Sequence, residues 1–530
     1  MAYSFPLKIP KNGWMKNLLS HQISFGKFSL PLPVLVILLV AAFMRLFRIN
    51  DYMTFLGDEG RDVLVVKHIL EGDFTLLGPR SSAADFYYGP IYYYLITPFL
   101  WLFRYDPVGP AVFIALLGIL TVYCVYYVGK TFFGRNAGLI AAALYAVSPV
   151  VITYSRSSWN PNPLPLVALI TLFLLYKALV LRKWWLFGIV GVLLGIGLQL
   201  QYLALFLALI VAVYTFFGTL IQEKKNKVIF LIKRYTSIFI GFLIGFSPFL
   251  GFEVLHGFPN SQTILNFIFG KYESDEPITT TPGGQVAYTF LKLFGRLVLR
   301  VPNLSFLNFT EDIQYRLLGV GVLLFGAFCV LSLLKVKDKL VQLLFLSWTI
   351  LGVGLFYIYS KDIYDYYLGF MFTLPFLLFA NAVTVWSSKK IYIWSGFILF
   401  ITILIWNLIG MPFRYEPNRQ KDQVKNIAQF VLDQTDGEPY NFALITPGNS
   451  DHGYRYFFEA AGRKPIVIEN TEVDPERKTV TDQLLIVCED ISCQPLGHPL
   501  FEVAGFGRAE IAGQWDVSVV KVFKLVPFEE

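Results

Sequence analysis

Eleven long apolar stretches recur between Pro31 and Met411, and no other feature narrows the possible folds of this chain as much. They lie at roughly 31–49, 108–128, 137–153, 163–181, 185–199, 203–219, 235–255, 316–334, 340–359, 367–386 and 391–411. Each approaches the ~20 apolar residues a helix needs to cross a hydrocarbon core of ~30 Å. Inside lipid every backbone polar group must find its partner within the protein, so these stretches are expected to be helices. Composition agrees. The 530 residues are 55% hydrophobic and 15% charged, whereas soluble domains run nearer roughly 25% charged. A soluble globule is excluded.

One further apolar stretch, Tyr88 to Phe103, decides the topology of everything after it. If it does not cross, the loops 129–136, 177–184, 220–234, 335–339 and 387–390 share one side. Each carries lysine or arginine, from Lys130 and Arg135 to Lys389 and Lys390. That is the positive-inside pattern. The expectation is therefore eleven spans in the cell membrane, the segment 1–30 and the basic loops inside, and the loops 50–107 and 256–315 and the tail 412–530 outside. The net charge of +7 reflects these loops and does not point to nucleic acid. Lys8, Lys11, Lys16 and Lys27 precede the first span, and no small-residue cleavage site follows it, so a retained signal-anchor is expected. In 286–301, Lys292, Arg296 and Arg300 recur every fourth residue, which predicts an amphipathic helix lying in the interface.

The tail differs in composition. Strand-like runs at Phe442–Thr446, Gln483–Cys488 and Val517–Leu525 alternate with helical patterns at Gln420–Leu432 and His452–Ala461. The expected fold is thus an all-α polytopic domain, 31–411, followed by a small α/β domain, 412–530. Cys488 and Cys493 are too few for a zinc site, and a disulfide is expected if the tail faces an oxidising compartment. Cys124 and Cys329 fall inside apolar spans and read as packing residues.

The first outer loop opens with FLGDEGRDVLVVKHILEGD, 55–73. Val63, Val66, Ile69 and Leu70 line one face of a helix there, with Asp58 and Glu59 at its start. The positive end of a helix dipole favours a charged carboxylate. Such a group at the membrane surface suits removal of a proton from a hydroxyl. The same spacing also fits a plain N-cap at Asp58 with Glu59 as a first-turn charge.

The GDEG motif after a first span, the LLGPRSS…DFYYGPIYYYL run, and GKTFFGRNAGLIAAALYAVSPVVITYSRSSWNPNPLPL form an ordered set. Together they resemble bacterial relatives of the protein O-mannosyltransferases, a group that includes the lipid A aminoarabinose transferase. The resemblance is closest over residues 31–215. It implies the GT-C membrane fold and an inverting transfer of a hexose or pentose from a polyprenyl-phosphate donor. The acceptor would be a hydroxyl of a protein, lipid or glycan at the outer face. It implies Asp58 as the base, with Glu59 orienting Asp58 or the acceptor, and makes 88–103 a juxtamembrane helix.

Two departures from the family pattern stand out. Tyr88-Gly89-Pro90 replaces a common His-Pro-Pro, and Trp159-Asn160-Pro161-Asn162 replaces an acidic second outer loop. Asn160 can bond a sugar hydroxyl but is no base, which argues against a two-carboxylate metal site. No cofactor is required by these motifs, with a divalent cation left open.

A leaving phosphate needs cations and hydroxyls. Arg80 and Arg156 are the expected outer-face arginines, with Asp85, Tyr87 and Tyr88 beside Arg80. Gln201 and Tyr202 interrupt the apolar run 184–217, and Lys361, Tyr366 and Tyr367 open a tyrosine-rich span. A snorkelling interfacial arginine at 156, a plain turn at 201–202 and an aromatic belt at 361–367 are the structural readings of the same residues. The competing functions are a transporter or flippase of lipid-linked glycans and an idle scaffold subunit. Absence of internal repeats and of intramembrane charge pairs weighs against the transporter.

Overall fold

A computed structural model describes residues 22–25, 28–81, 85–268, 282–302, 313–359, 362–490 and 493–528. A short antiparallel hairpin, β1 (Gln22–Phe25) with β2 (Phe28–Pro31), leads into the helical part. The helices are α1 (Leu32–Leu46), α2 (Gly57–Leu70), α3 (Ile91–Leu102), α4 (Val108–Phe133), α5 (Arg135–Val147), α6 (Leu164–Leu181) and α7 (Trp184–Leu200). Then follow α8 (Ala204–Gln222), α9 (Lys227–Gly245), α10 (Ile313–Leu331), α11 (Lys339–Gly354), α12 (Leu374–Trp386) and α13 (Ile393–Ile409). The last part holds α14 (Gln420–Asp433), β3 (Asn441–Ile445), α15 (His452–Ala460), β4 (Leu484–Cys488), β5 (Ala509–Val517) and β6 (Val520–Pro527).

Each expected apolar stretch is helical. Six helices among the described residues are long and apolar enough to cross a membrane, and a seventh span forms if 365–371 and α12, bent by 57°, count as one. Four further expected spans are the shorter apolar helices α1, α5, α7 and α13. Helix α3, the topological pivot, has 12 residues and contains Pro98. At 1.5 Å per residue it is about 18 Å long, short of a bilayer core. It ends in a turn at Arg104 and Tyr105, both at positive φ.

Three of the basic loops, 177–184, 220–234 and 335–339, meet one another. There Tyr176 donates to Asp338 at 2.8 Å, Gln222 to the Leu179 carbonyl, and Arg234 to Glu223 at 2.7 Å. One apolar core runs through the bundle, including Val122, Tyr145, Leu172, Leu207, Phe345 and Phe379. A second core joins the first outer loop to the C-terminal part. Phe55, Val63, Val66, Tyr92 and Ile96 pack there with Ile427, Val431, Phe442, Tyr454 and Leu485.

The C-terminal sheet runs in the order β3-β4-β6-β5, with β3 and β4 parallel and the other pairs antiparallel. Both faces of β3 and β4 are buried, as their continuous apolar runs require. Cys488 and Cys493 form a disulfide, whereas Cys124 and Cys329 are free.

The interfacial helix expected over 286–301 is corrected. Residues Lys292–Arg296 form a π-helical turn, and Lys292 is buried. Its ammonium donates to the Ile363 carbonyl, and Arg296 bonds Asp365 at 2.8 and 2.9 Å. Arg300 lies over the Trp406 ring, 4.1 Å from its centroid. Two of these cations therefore bind a carboxylate inside the protein instead of facing headgroups. The two tripeptides 303–305 and 308–310, which match the N-glycosylation pattern, lie outside the described residues.

Candidate active site

Helix α2 begins at the GDEG motif. Asp58 is not its N-cap, since the cap position is Leu56. The Asp58 side chain is half exposed and pairs with Arg61 at 2.7 Å, one turn on. Glu59 turns inward, and its carboxylate accepts the Leu56 N–H at 3.0 Å. Burial, with Asp58 and Asp62 nearby, pushes the Glu59 carboxyl up to about 7 despite that backbone bond. Asp62 is fully buried, and burial likewise raises it to about 7 although Arg61 opposes the shift. Arg61 thus ties Asp58 to Asp62, at 2.7 Å from each, and its remaining contacts include the Tyr93 hydroxyl. Glu59 holds the turn on which Asp58 stands, and its carboxylate faces the Leu56 backbone instead of an acceptor.

The segment 78–88 folds back on itself. Gly78 N–H donates to Tyr88 O, Tyr88 N–H to Pro79 O and Ser81 N–H to Phe86 O. That hairpin aims Phe86 and Tyr88 inward. The Tyr88 hydroxyl donates to Gln201 Oε1 at 3.0 Å, and Gln201 itself is buried. Burial drives the Tyr88 hydroxyl upward, and Asp58 is near enough to add to the shift. From Tyr88 a row of rings crosses the site. Tyr88 stacks near Tyr202 at 6.3 Å, Tyr202 meets Tyr367 edge-on at 6.2 Å, and Tyr367 meets Tyr366 at 4.5 Å. Trp159 lies 4.4 Å from Tyr366, and the Tyr202 and Tyr359 hydroxyls are 3.1 Å apart. Tyr366 also lines a small cavity with Tyr154, Pro161 and Asn162. The row ends at Asp365, with Arg296 and Lys292.

The structure therefore gathers Tyr88, Gln201, Tyr202, Tyr366 and Tyr367 in one place, with Asp58 beside them. It does not gather the rest. Arg156, expected at the phosphate, is buried and donates at 2.8 Å to the Met44 and Phe47 carbonyls. Its guanidinium also faces the Phe413 ring at 4.9 Å. These bonds satisfy orphan carbonyls at the end of α1, so the cation is spent on the fold. Asn160, expected at a sugar, gives its amide to the Leu200 carbonyl at 2.7 Å. Arg80 and Asp85 pair with each other at 2.8 Å on the surface, and Tyr87 N–H donates to Asn260. Lys361 lies outside the described residues.

Sequence reasoning missed Arg61, Tyr359, and the Lys292–Arg296–Asp365 group. Only the i, i+4 spacing of 292 and 296 signalled the last, and that spacing reads the same for a buried face as for a lipid-facing one.

A divalent cation fits poorly here. Arg61 already bridges the two aspartates of α2, and among the described residues no three His, Cys, Asp or Glu side chains come together.

The helical bundle and its C-terminal sheet share the GT-C membrane fold of the solved structures that follow. Residues 88–252 match the family model of dolichyl-phosphate-mannose-protein mannosyltransferases. Among solved structures, ArnT from Cupriavidus metallidurans bound to undecaprenyl phosphate aligns with a TM-score of 0.60 at 13% identity, covering 97% of this chain and 98% of that one. Its apo form gives 0.58 at 13% identity, covering 93% and 97%. The oligosaccharyltransferase of Archaeoglobus fulgidus in complex with Zn and sulfate gives 0.54 at 13% identity, over 86% of this chain and 67% of its own. The chain thus spans about two thirds of that enzyme. No curated protein matches the sequence.

Proposed function

We propose that this protein is a membrane glycosyltransferase that moves a sugar from a polyprenyl-phosphate donor to an acceptor hydroxyl. The observation that carries the reading is the half-exposed Asp58 near Tyr88, where a row of packed rings begins that runs to Tyr366 and to Asp365 with its partners Arg296 and Lys292. The matched family model and the undecaprenyl-phosphate-bound ArnT support the donor class. Aromatic faces suit sugar rings.

In the reaction, Asp58 takes the acceptor hydroxyl proton as its oxygen attacks the anomeric carbon. The bond from that carbon to the phosphate oxygen breaks, and polyprenyl phosphate leaves with the electron pair. A single displacement inverts the anomeric centre. Arg296 and Lys292 lie where a leaving phosphate gains from cations, exchanging part of their contact with Asp365 for it. In this reading the chain crosses the cell membrane eleven times with the basic loops inside, and the positive-inside pattern supports an outer position for the aromatic row and the C-terminal part. The Cys488–Cys493 disulfide suits an oxidising compartment.

The test uses purified protein, radiolabelled polyprenyl-phosphate mannose as donor, and membranes as the acceptor source. Wild type is expected to release polyprenyl phosphate, and Asp58→Asn to lose at least ~100-fold in kcat. Equal turnover by both proteins overturns the assignment of Asp58.

A further inference from the structure

The N-terminal turn of α2 takes one of its caps from a residue 392 positions away. The first N–H groups of a helix have no acceptor within it. Here Glu59 takes Leu56 N–H at 3.0 Å, and the side chain of Asn449, between β3 and α15, takes Gly57 N–H at 2.8 Å. The Asn449 amide can point only one way. Its Nδ2 donates to both oxygens of Glu489, at 3.1 and 3.2 Å, and a carboxylate only accepts. Its Oδ1 is therefore turned to Gly57, and it also accepts Ser450 N–H at 2.9 Å. Glu489 is fixed in turn by the hydroxyls of Thr446, at 2.8 Å, and Tyr454, at 3.0 Å.

A second observation concerns the two glycines of GDEG, one helical turn apart. A Cβ on Gly57 would strike the Ser450 hydroxyl, and one on Gly60 would overlap the backbone of Gly453. The start of α15 and the loop before it thus lie flush against the helix face between these glycines. Farther along α2, His68 meets Glu459 at 2.8 Å.

We infer that the C-terminal domain completes the active site, with Asn449 as the positioning residue that fixes the turn carrying Asp58 and Glu489 as the group that aims Asn449. The inference rests on Asp58 acting as the base. Loss of the Asn449 oxygen frees Gly57 N–H and lets the turn shift, moving the Asp58 carboxylate against the acceptor without touching the donor. The glycines of the motif serve the same end, since only a residue without a side chain lets the two segments meet.

The experiment measures transfer from polyprenyl-phosphate mannose by full-length Asn449→Ala, with and without Asp58→Asn. The expected result is a fall in kcat of about tenfold with the donor KM within about twofold. In the Asp58→Asn background the same substitution should cost nothing further, because the two act through one group. Glu489→Gln keeps the shape of the network but offers an NH2 that lets the Asn449 amide flip. It should reproduce a smaller kcat loss, and it covers the case in which Asn449→Ala does not fold. Hydrogen exchange at Gly57 should quicken in either variant, while amides in the last turn of α2 stay protected. Wild-type kcat in both variants, or a loss that adds in full to Asp58→Asn, overturns the inference. Unchanged turnover in Asp58→Asn itself sinks the base assignment instead, and this inference with it.

Discussion

Near one end of the aromatic row Asp58 stands half exposed on a loop helix, braced from behind by a domain that begins more than 350 residues later. At the other end Arg296 and Lys292 lie largely buried around Asp365, among membrane helices and within about 75 residues of one another. The aromatic row from Tyr88 to Tyr366 joins the two. The acid end is held by backbone bonds and close-packed glycines, so small shifts of the turn should alter chemistry more than binding. The cationic end is held by charge, so removing one partner should alter donor affinity more than chemistry.

After the loss of at least ~100-fold in kcat expected of Asp58→Asn, the next largest effect comes from Arg296→Ala, which should raise the donor KM about tenfold and leave kcat within about threefold, the worth of one charge-assisted contact. A kcat loss as deep as that of Asp58→Asn would erase the distinction between the ends.

The acid end also carries a pH signature in stability. The Glu59 carboxyl moves from an ordinary 4.5 up to about 7 on folding, through burial first, so the native state holds its proton more tightly than the unfolded chain. The stabilisation is fully present below pH 4.5 and is lost as pH rises through about 7. Asp62 acts in the same direction. The thermal midpoint in detergent should therefore fall between pH 5 and pH 8, and Glu59→Gln should flatten that slope; a flat wild-type profile would contradict it. The smallest effect is expected of Arg80→Ala. Its exposed pair with Asp85 should change kcat/KM by no more than about twofold.

These expectations differ from what the sequence invited, and the residues show why. The helices were legible because lipid demands long apolar runs, and the basic loops are what gave α3 its expected non-crossing place. Strands β3, β4 and β6 announced themselves as apolar runs, whereas the largely exposed edge strand β5 did not. Asp58 stood out from its place after the first span. Arg156 misled because an arginine at the end of a span looks the same whether it faces a cleft or carbonyls, and only the fold brings the end of α1 to it. Asn449 was invisible, since nothing local marks an amide that caps a helix 392 residues earlier.

The central claim is that base and phosphate site lie at separate ends of one aromatic row, and binding of polyprenyl phosphate to wild type, Asp58→Asn and Arg296→Ala tests it most directly. The account expects Asp58→Asn to bind as wild type does while turning over at least ~100-fold more slowly, and Arg296→Ala to bind about tenfold more weakly. Wild-type binding by Arg296→Ala together with loss of binding by Asp58→Asn would contradict it.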